Sequence, residues 1–308
     1  CRGPDRGVGR RARGGRWQSC PDPVPVQVQV SDRIGFLQGR LSPLIDGRIQ
    51  AFPWTCWRAE FPMGEQNGFH VMEWTLDQHR LHENPLLDPA GQAEISALSR
   101  HHGLTIPSLT ADCFMQAPFW KARGSERGAL ERDFLAVLRA CVAAGLAIVV
   151  VPLVDNGRLE SAEQEDTLVT FLQEQSGLLA REGVQVVFES DFGPAELARF
   201  IGRLDPALFG INYDIGNSAA LGFNPAEEIA AYGSRIRGVH VKDRALGGDT
   251  VPLGSGAADF DAVFGALHQV GYRGHYILQT ARAADDDHVS VLCRYRDMTA
   301  EWMGLHGA

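Results

Sequence analysis

The chain has 308 residues, 44% of them hydrophobic and 22% charged, with a formal net charge of −9. That balance supplies ample core material and excludes a disordered chain, a collagen-like repeat and a small disulfide scaffold. No apolar run approaches the roughly 18 residues of a membrane span, so no membrane partner is expected. Nor is nucleic acid, because binding a phosphate backbone needs a basic surface.

Residues 1–31 are rich in Gly, Pro and Arg and hold six arginines against Asp5 and Asp22. No helical or strand period appears before about Val24, and no apolar stretch follows Arg10-Arg11 as a secretion signal would require. This segment is expected to be a disordered or non-native extension, with a single domain over 32–308. Beyond it, short β-branched or apolar runs alternate with helical patterns. Strands are predicted at 33–39, 69–74, 104–110, 147–153, 184–189, 208–214, 236–242 and 274–279. Between them, Leu130, Phe134, Val137, Leu138, Cys141 and Val142 recur at helical spacing within 125–144. Ser161 is placed to cap a helix over 162–181, and Pro225 to open another at its first position. Gly103, Gly145, Gly183, Gly233 and Gly271 stand where a helix should end and a strand begin. Eight strands, each followed by a helical segment, is the count of an α/β fold of the (β/α)8 TIM-barrel type. An open doubly wound sheet is the rival, but it wants a Gly-rich phosphate turn after its first strand. The turn here, Gln38-Gly39-Arg40-Leu41-Ser42-Pro43, has no GxGxxG. Six scattered cysteines without a CxxC pair read as small core side chains in a reducing cytoplasm.

Active sites of barrels lie at the C-terminal ends of the strands, so the residues there carry the functional reading. The second strand ends in Glu73, the third runs into Asp112, the fifth ends in Glu189 and the sixth in Asp214. The seventh ends in His240, Lys242 and Asp243, and the eighth in Gln279. Strand side chains alternate with a period of two, so His240 and Lys242 share a face. Glu189, Asp214, His240 and Gln279 come from four consecutive strands. Two carboxylates, an imidazole and an amide oxygen suit a divalent ion with N and O donors: Mn2+, Mg2+, Co2+ or Zn2+. Each residue alone has a blander reading: Asp214 as a helix cap, Glu189 as an arginine partner, His240 as a hydrogen-bonded core residue. Four in register on strands five to eight favour a site.

The runs FES, INYDIGNS, RGVHVKDR, TVPLGSGAADF and YRGHYILQTAR, in that order, resemble the xylose isomerase-like TIM-barrel superfamily, in particular its sugar phosphate isomerase/epimerase members. IGFLQGRLSP, IQAFPW and FHVMEW are similar to one branch of it. The likeness runs from about Ile34 to Leu305. It implies one divalent metal held by a Glu, an Asp, a His and a second Glu, which places Glu189, Asp214 and His240 in the metal site. The fourth position is Gln279. In ketose 3-epimerases of this group the two metal-bound glutamates are also opposed acid and base groups, whereas a glutamine offers an oxygen but no useful basicity.

The expected activity is therefore metal-dependent isomerisation or epimerisation of a small-molecule sugar or sugar phosphate. Proton transfer falls to Glu189, with Lys242 or Glu73 as a second acid. A sugar dehydratase on the same site and a non-catalytic sugar-binding or regulatory barrel are the alternatives; Gln279 feeds the latter. Lys242, one of only two lysines, also admits an imine-forming aldolase. An endonuclease IV-like repair enzyme is disfavoured: of ten histidines only His240 ends a predicted strand. Arg40, Asp112, Asn217 and Arg282 are candidate substrate contacts. The backbone N–H groups of Gly247-Gly248 and Gly254-Ser255-Gly256 are candidates for a phosphate. Trp54, Trp57, Phe61 and Trp74 read as core packing, with a wall over a sugar ring or a homodimer contact as the alternatives.

Overall fold

A computed structural model describes residues 30–307. The expected extension over 1–31 lies outside this range except for its last two residues, which begin a 3-10 turn at Val30–Arg33. Eight parallel strands follow: β1 (Ile34–Leu37), β2 (Met72–Thr75), β3 (Ser108–Thr110), β4 (Ile148–Leu153), β5 (Gln185–Ser190), β6 (Phe209–Asp214), β7 (Ile236–Val241) and β8 (Tyr276–Leu278). They close in the order β1-β8-β7-β6-β5-β4-β3-β2. This is the (β/α)8 barrel the alternation predicts. Each strand overlaps its predicted span. β3 is shorter than expected because Pro107 has no N–H for the ladder; only its carbonyl is used, accepting from Ala147 and Ile148.

Both faces of these strands are covered, which is why runs such as IVVVPL are continuously apolar rather than alternating. Leu37, Val71 and Ile277 form a small cluster of their own. Register pairs Leu37 with Glu73 and Ile277 with His240, so this cluster shares the barrel interior with the polar residues above it. The larger core fills the layer between strands and helices. Trp57, Phe61 and Trp74 are buried in it, and Trp54 packs against it. Trp74 meets Phe52 and Trp57 at ring-centroid distances of 5.4 and 5.6 Å. The packing reading of these aromatics therefore holds.

Local signals place the helices. The helix at Gly124–Ala144 ends on Gly145, whose φ of 78° a glycine adopts without strain. Ser161 Oγ accepts from the backbone N–H of Gln164 and opens Ala162–Glu174. The expected single helix over 162–181 is two, bending at Gln175 into Ser176–Glu182. Asn224 caps Pro225–Tyr232. Gly233 departs from expectation: its φ is −56°, so it serves not as a left-handed cap but as a close contact. A Cβ there would lie 2.9 Å from Ile229 Cγ2. Two insertions shape the mouth of the barrel. One is the long loop over 38–59 after β1, and the other is a short antiparallel ribbon after β7, Asp243–Arg244 with Thr250–Val251. No helix among the described residues is long and apolar enough to cross a membrane.

Candidate active site

Strand register brings the chemistry together. On the β6–β7 ladder Ile211 pairs with Ile236, but Asn212 pairs with Gly238, a one-residue slip that sets Asp214 beside His240. Unslipped, Val239 would stand there, and with a period of two a one-residue change turns every following side chain to the other face. Glu189, next to the last residue of β5, stands on the far side of Asp214. Ligand atoms of Glu189, Asp214 and His240 lie within 4.8 Å of one another, and all three residues are buried.

His240 is fully buried between two carboxylates. Its Nε2 is 2.8 Å from Glu73 Oε1 and its Nδ1 3.1 Å from Glu189 Oε2. Burial works against a charged ring, but the two carboxylates outweigh it and push the imidazole up to about 10. Burial would also raise both carboxyl groups; the His240 contacts reverse that and hold Glu73 and Glu189 below the usual carboxylate range. Glu73 is fixed further by the hydroxyls of Ser108 and Thr110, which donate to its two oxygens at 2.5 Å each. An ionised carboxylate only accepts, so Glu73 keeps a hydrogen on Nε2. Nδ1 is then the nitrogen turned towards Glu189.

Lys242 closes the other side. Its ammonium donates to Asp214 Oδ2 at 3.3 Å, Asn217 Oδ1 at 3.2 Å and Gln279 Oε1 at 3.3 Å. Asp214 also caps the helix Ile215–Leu221 by accepting from Asn217 N–H at 2.8 Å, so the cap and the site are one residue. Burial raises Asp214 and the Lys242 charge only partly offsets this. Gly216 gives Lys242 its room: a Cβ there would lie 2.7 Å from Lys242 Cγ. Asn217 Nδ2 donates to Glu189 Oε1 at 2.6 Å. Three acceptors thus surround the Lys242 nitrogen.

Above this floor opens a cavity of about 600 Å3, lined among others by Glu189, Asn217, Lys242, Gln279, Asp112 and Arg244. Burial and the neighbouring charge of Asp77 push Asp112 up to about 7. Glu73 lies beneath His240 and does not line the cavity. Arg40 and Arg282 do not line it either. Arg40 donates to Ile49 O at 2.6 Å and to Gln50 Oε1 at 3.2 Å; Arg282 donates to the carbonyls of Gly39 and Ser42. Both pin the loop after β1. The glycine N–H groups read as a phosphate cradle are occupied. Gly254 and Gly256 donate to Asp243 Oδ2 at 2.9 and 2.8 Å, while Gly247, Gly248 and Ser255 donate to the carbonyls of Ala220, Ala245 and Pro252. These turns build the ribbon instead of binding an anion. His70 is exposed, and His101-His102 end the helix Pro89–His102. Among the described residues Glu189, Asp214 and His240 are the only such cluster, which does not match the multi-histidine centre of a repair nuclease.

The sequence reading passed over Gln50, Arg158 and Arg244, all at the cavity. Arg244 donates to Asn217 Oδ1 at 2.9 Å, and Arg158 pairs with Asp191. Arg244 adjoins the HVKD run and was within reach of the strand-end argument. Gln50 and Arg158 sit on loops with no periodic signal.

The family model for the xylose isomerase-like TIM barrel matches residues 64–292. A curated relative, the L-ribulose-5-phosphate 3-epimerase UlaE of Salmonella heidelberg (strain SL476), is 25% identical over 265 residues, covering 82% of this chain and 92% of the relative. A xylose isomerase domain protein from Planctomyces limnophilus superposes with a TM-score of 0.70 at 15% identity, covering 89% of this chain and 98% of that one. A structure of L-ribulose 3-epimerase gives 0.69 at 15% identity, covering 89% and 95%.

Proposed function

Because this chain belongs to the xylose isomerase-like TIM barrel family, we propose that it is a metal-dependent isomerase or epimerase of a sugar or sugar phosphate. The observation that carries the reading is the buried cluster of Glu189, Asp214 and His240 at the floor of a polar cavity. The residues fit a divalent cation. The donors would be two carboxylates and His240 Nδ1, whose proton leaves as the ion binds, with the amide oxygen of Gln279 as the fourth. A cationic group, the Lys242 ammonium, already bridges Asp214 and Gln279. Mn2+, Mg2+, Co2+ and Zn2+ all suit such a set. Bound there, the ion supplies a Lewis acid that polarises a carbonyl.

The protein's own groups then divide the work. Glu189 faces the cavity, and the hydrogen bond and charge of His240 keep it ionised at neutral pH. It takes the proton from the carbon beside the carbonyl. Returned by Glu189 on the same face but to the former carbonyl carbon, while the neighbouring hydroxyl proton passes to the carbonyl oxygen, that proton gives an aldose–ketose isomer. Lys242 lies two strands away around the barrel mouth and is the group able to protonate the other face, giving an epimer. Glu73, beneath the floor, sets the ring of His240 rather than meeting substrate. Asn217 orients Glu189, and Asp112 and Arg244 contact hydroxyl or anionic groups of the substrate from the rim. Cys56, Cys113, Cys141 and Cys293 are free thiols, in keeping with a reducing cytoplasm.

The decisive experiment is metal analysis of the purified protein beside His240→Ala, followed by a screen of ketoses and ketose phosphates with the metal found. About one ion per chain, lost in His240→Ala, together with turnover of a ketose, is the expected outcome. No uptake of any of the four ions sinks the Lewis-acid mechanism. Metal binding without turnover turns the reading to a sugar-binding barrel. With a ketose in deuterated water, label at an inverted carbon of a ketose product marks an epimer, and label at the former carbonyl carbon of an aldose product marks an isomer.

A further inference from the structure

We propose that Gln50, on the loop between β1 and the helix Glu60–Gln66, is a positioning residue that turns the carboxamide of Gln279 so that its oxygen faces the cation site. The proposal rests on the metal reading above and adds a residue outside the ligand set.

A carboxamide is nearly symmetric in shape, and its oxygen and nitrogen ends differ only in what they accept or donate. Which end meets a cation is therefore decided by its neighbours. At Gln279 the neighbours form a chain of groups with fixed polarity. It begins at Arg40, which is buried and only donates. Arg40 is anchored by its 2.6 Å bond to Ile49 O and gives its second amine to Gln50 Oε1 at 3.2 Å. Gln50 is oriented from its other end as well, because its Nε2 donates to the Asp112 carboxylate at 2.5 Å. A reversed Gln50 would set its NH2 against the Arg40 guanidinium, two donors with no acceptor between them.

With Gln50 so placed, its Oε1 accepts from Gln279 Nε2 at 3.0 Å. Gln279 then has one end left. Its Oε1 lies 3.3 Å from the Lys242 ammonium, another group that only donates, on the side of Asp214. Both neighbours of Gln279 agree on its direction. The loop after β1 thus meets the end of the neighbouring strand β8 and converts an ambiguous amide into a committed, uncharged oxygen donor. Lys242 and a divalent ion can then share one cluster with Glu189 and Asp214, without a further carboxylate at position 279.

The test uses Co2+ as probe, with the visible absorption of the bound ion reporting its ligands and a competition titration giving its affinity. The proteins are the wild type, Gln50→Met, Gln50→Ala, Gln279→Leu and Gln50→Met combined with Gln279→Leu. Gln50 is half-buried, and methionine keeps its length without polar atoms. Gln50→Met and Gln50→Ala are expected to bind Co2+ about 10- to 100-fold more weakly, the usual cost of losing a partner that orients a ligand, with an altered spectrum. In the Gln279→Leu background, Gln50→Met adds no further loss. An equal loss in both backgrounds, or full affinity with an unchanged spectrum in Gln50→Met, overturns the role of Gln50 while leaving the metal site standing. Absence of Co2+ uptake by the wild type, or uptake indifferent to His240→Ala, overturns the metal reading itself and this inference with it.

Discussion

Two carboxylates hold the ring of His240, and their tasks differ. Glu189 opens on the cavity; Glu73 is sealed beneath it with Ser108 and Thr110. Glu189→Gln is expected to keep the melting temperature within a few degrees and lower kcat by about 100- to 10,000-fold, the worth of one acid/base group. Steady-state kinetics beside thermal unfolding checks both halves. Glu73→Gln acts through the ring instead: the Nε2 hydrogen loses its charged acceptor, and divalent-ion affinity should fall by about 10- to 100-fold, read by titration with Mn2+. Glu189, Asp214 and His240 were legible in the sequence because each ends a strand, where barrel chemistry sits. The task of Glu73 was not. A strand-end carboxylate looks the same in sequence whether it opens on the cavity or lies under it.

Among the elements, the loop after β1 departs most from its sequence reading. Arg40 and Arg282 looked like anion contacts, yet both are spent on the loop's own backbone or on Gln50. Glu60 completes the fastening by accepting from the N–H groups of Gly39 and Leu41. Gly39 sits at φ 92°, a backbone that side-chain-bearing residues avoid. Burial pushes Glu60 up to about 7 from its ordinary 4.5, with the Gly39 bond opposing. The folded chain therefore holds this proton where the unfolded chain has lost it. The stability linked to Glu60 is full below about pH 4.5 and is lost as pH rises through about 7. The amount is about 3 kcal/mol by linkage. Urea unfolding across that range should show wild-type stability falling relative to Glu60→Gln, the difference levelling off above pH 7; a constant difference would rule the linkage out. The glycines after β7 teach a related lesson. A run such as Gly254-Ser255-Gly256 announces free N–H groups, but sequence cannot say that Asp243 has already taken two of them.

For the whole molecule, the closed barrel lets residues from distant parts of the chain act as one site: Glu73 and His240 are 167 positions apart and 2.8 Å from contact to contact. On the metal reading proposed above, EDTA should abolish turnover and leave the barrel folded, since the large core is apolar; far-ultraviolet circular dichroism and activity after metal return check this. Borohydride added with a ketose substrate should trap no adduct on the chain, because the Lys242 nitrogen is engaged by three acceptors. Trapping on Lys242, read by mass spectrometry, would replace the metal mechanism by an imine.

The sequence by itself determined the architecture and the strand ends. Apolar runs bounded by glycines and separated by helical periods leave few ways to bury their faces, and the period of two puts His240 and Lys242 on the same side. Tertiary structure alone decided what those side chains do. The one-residue slip between β6 and β7 chose His240 rather than Val239 as the neighbour of Asp214. Closure of the barrel put Glu73 under His240. The fold of the loop after β1 brought Gln50 onto Gln279. A hydrogen bond has a direction and a reach of about 3 Å, so which donor is spent and which remains for a ligand is settled only when the whole chain is in place.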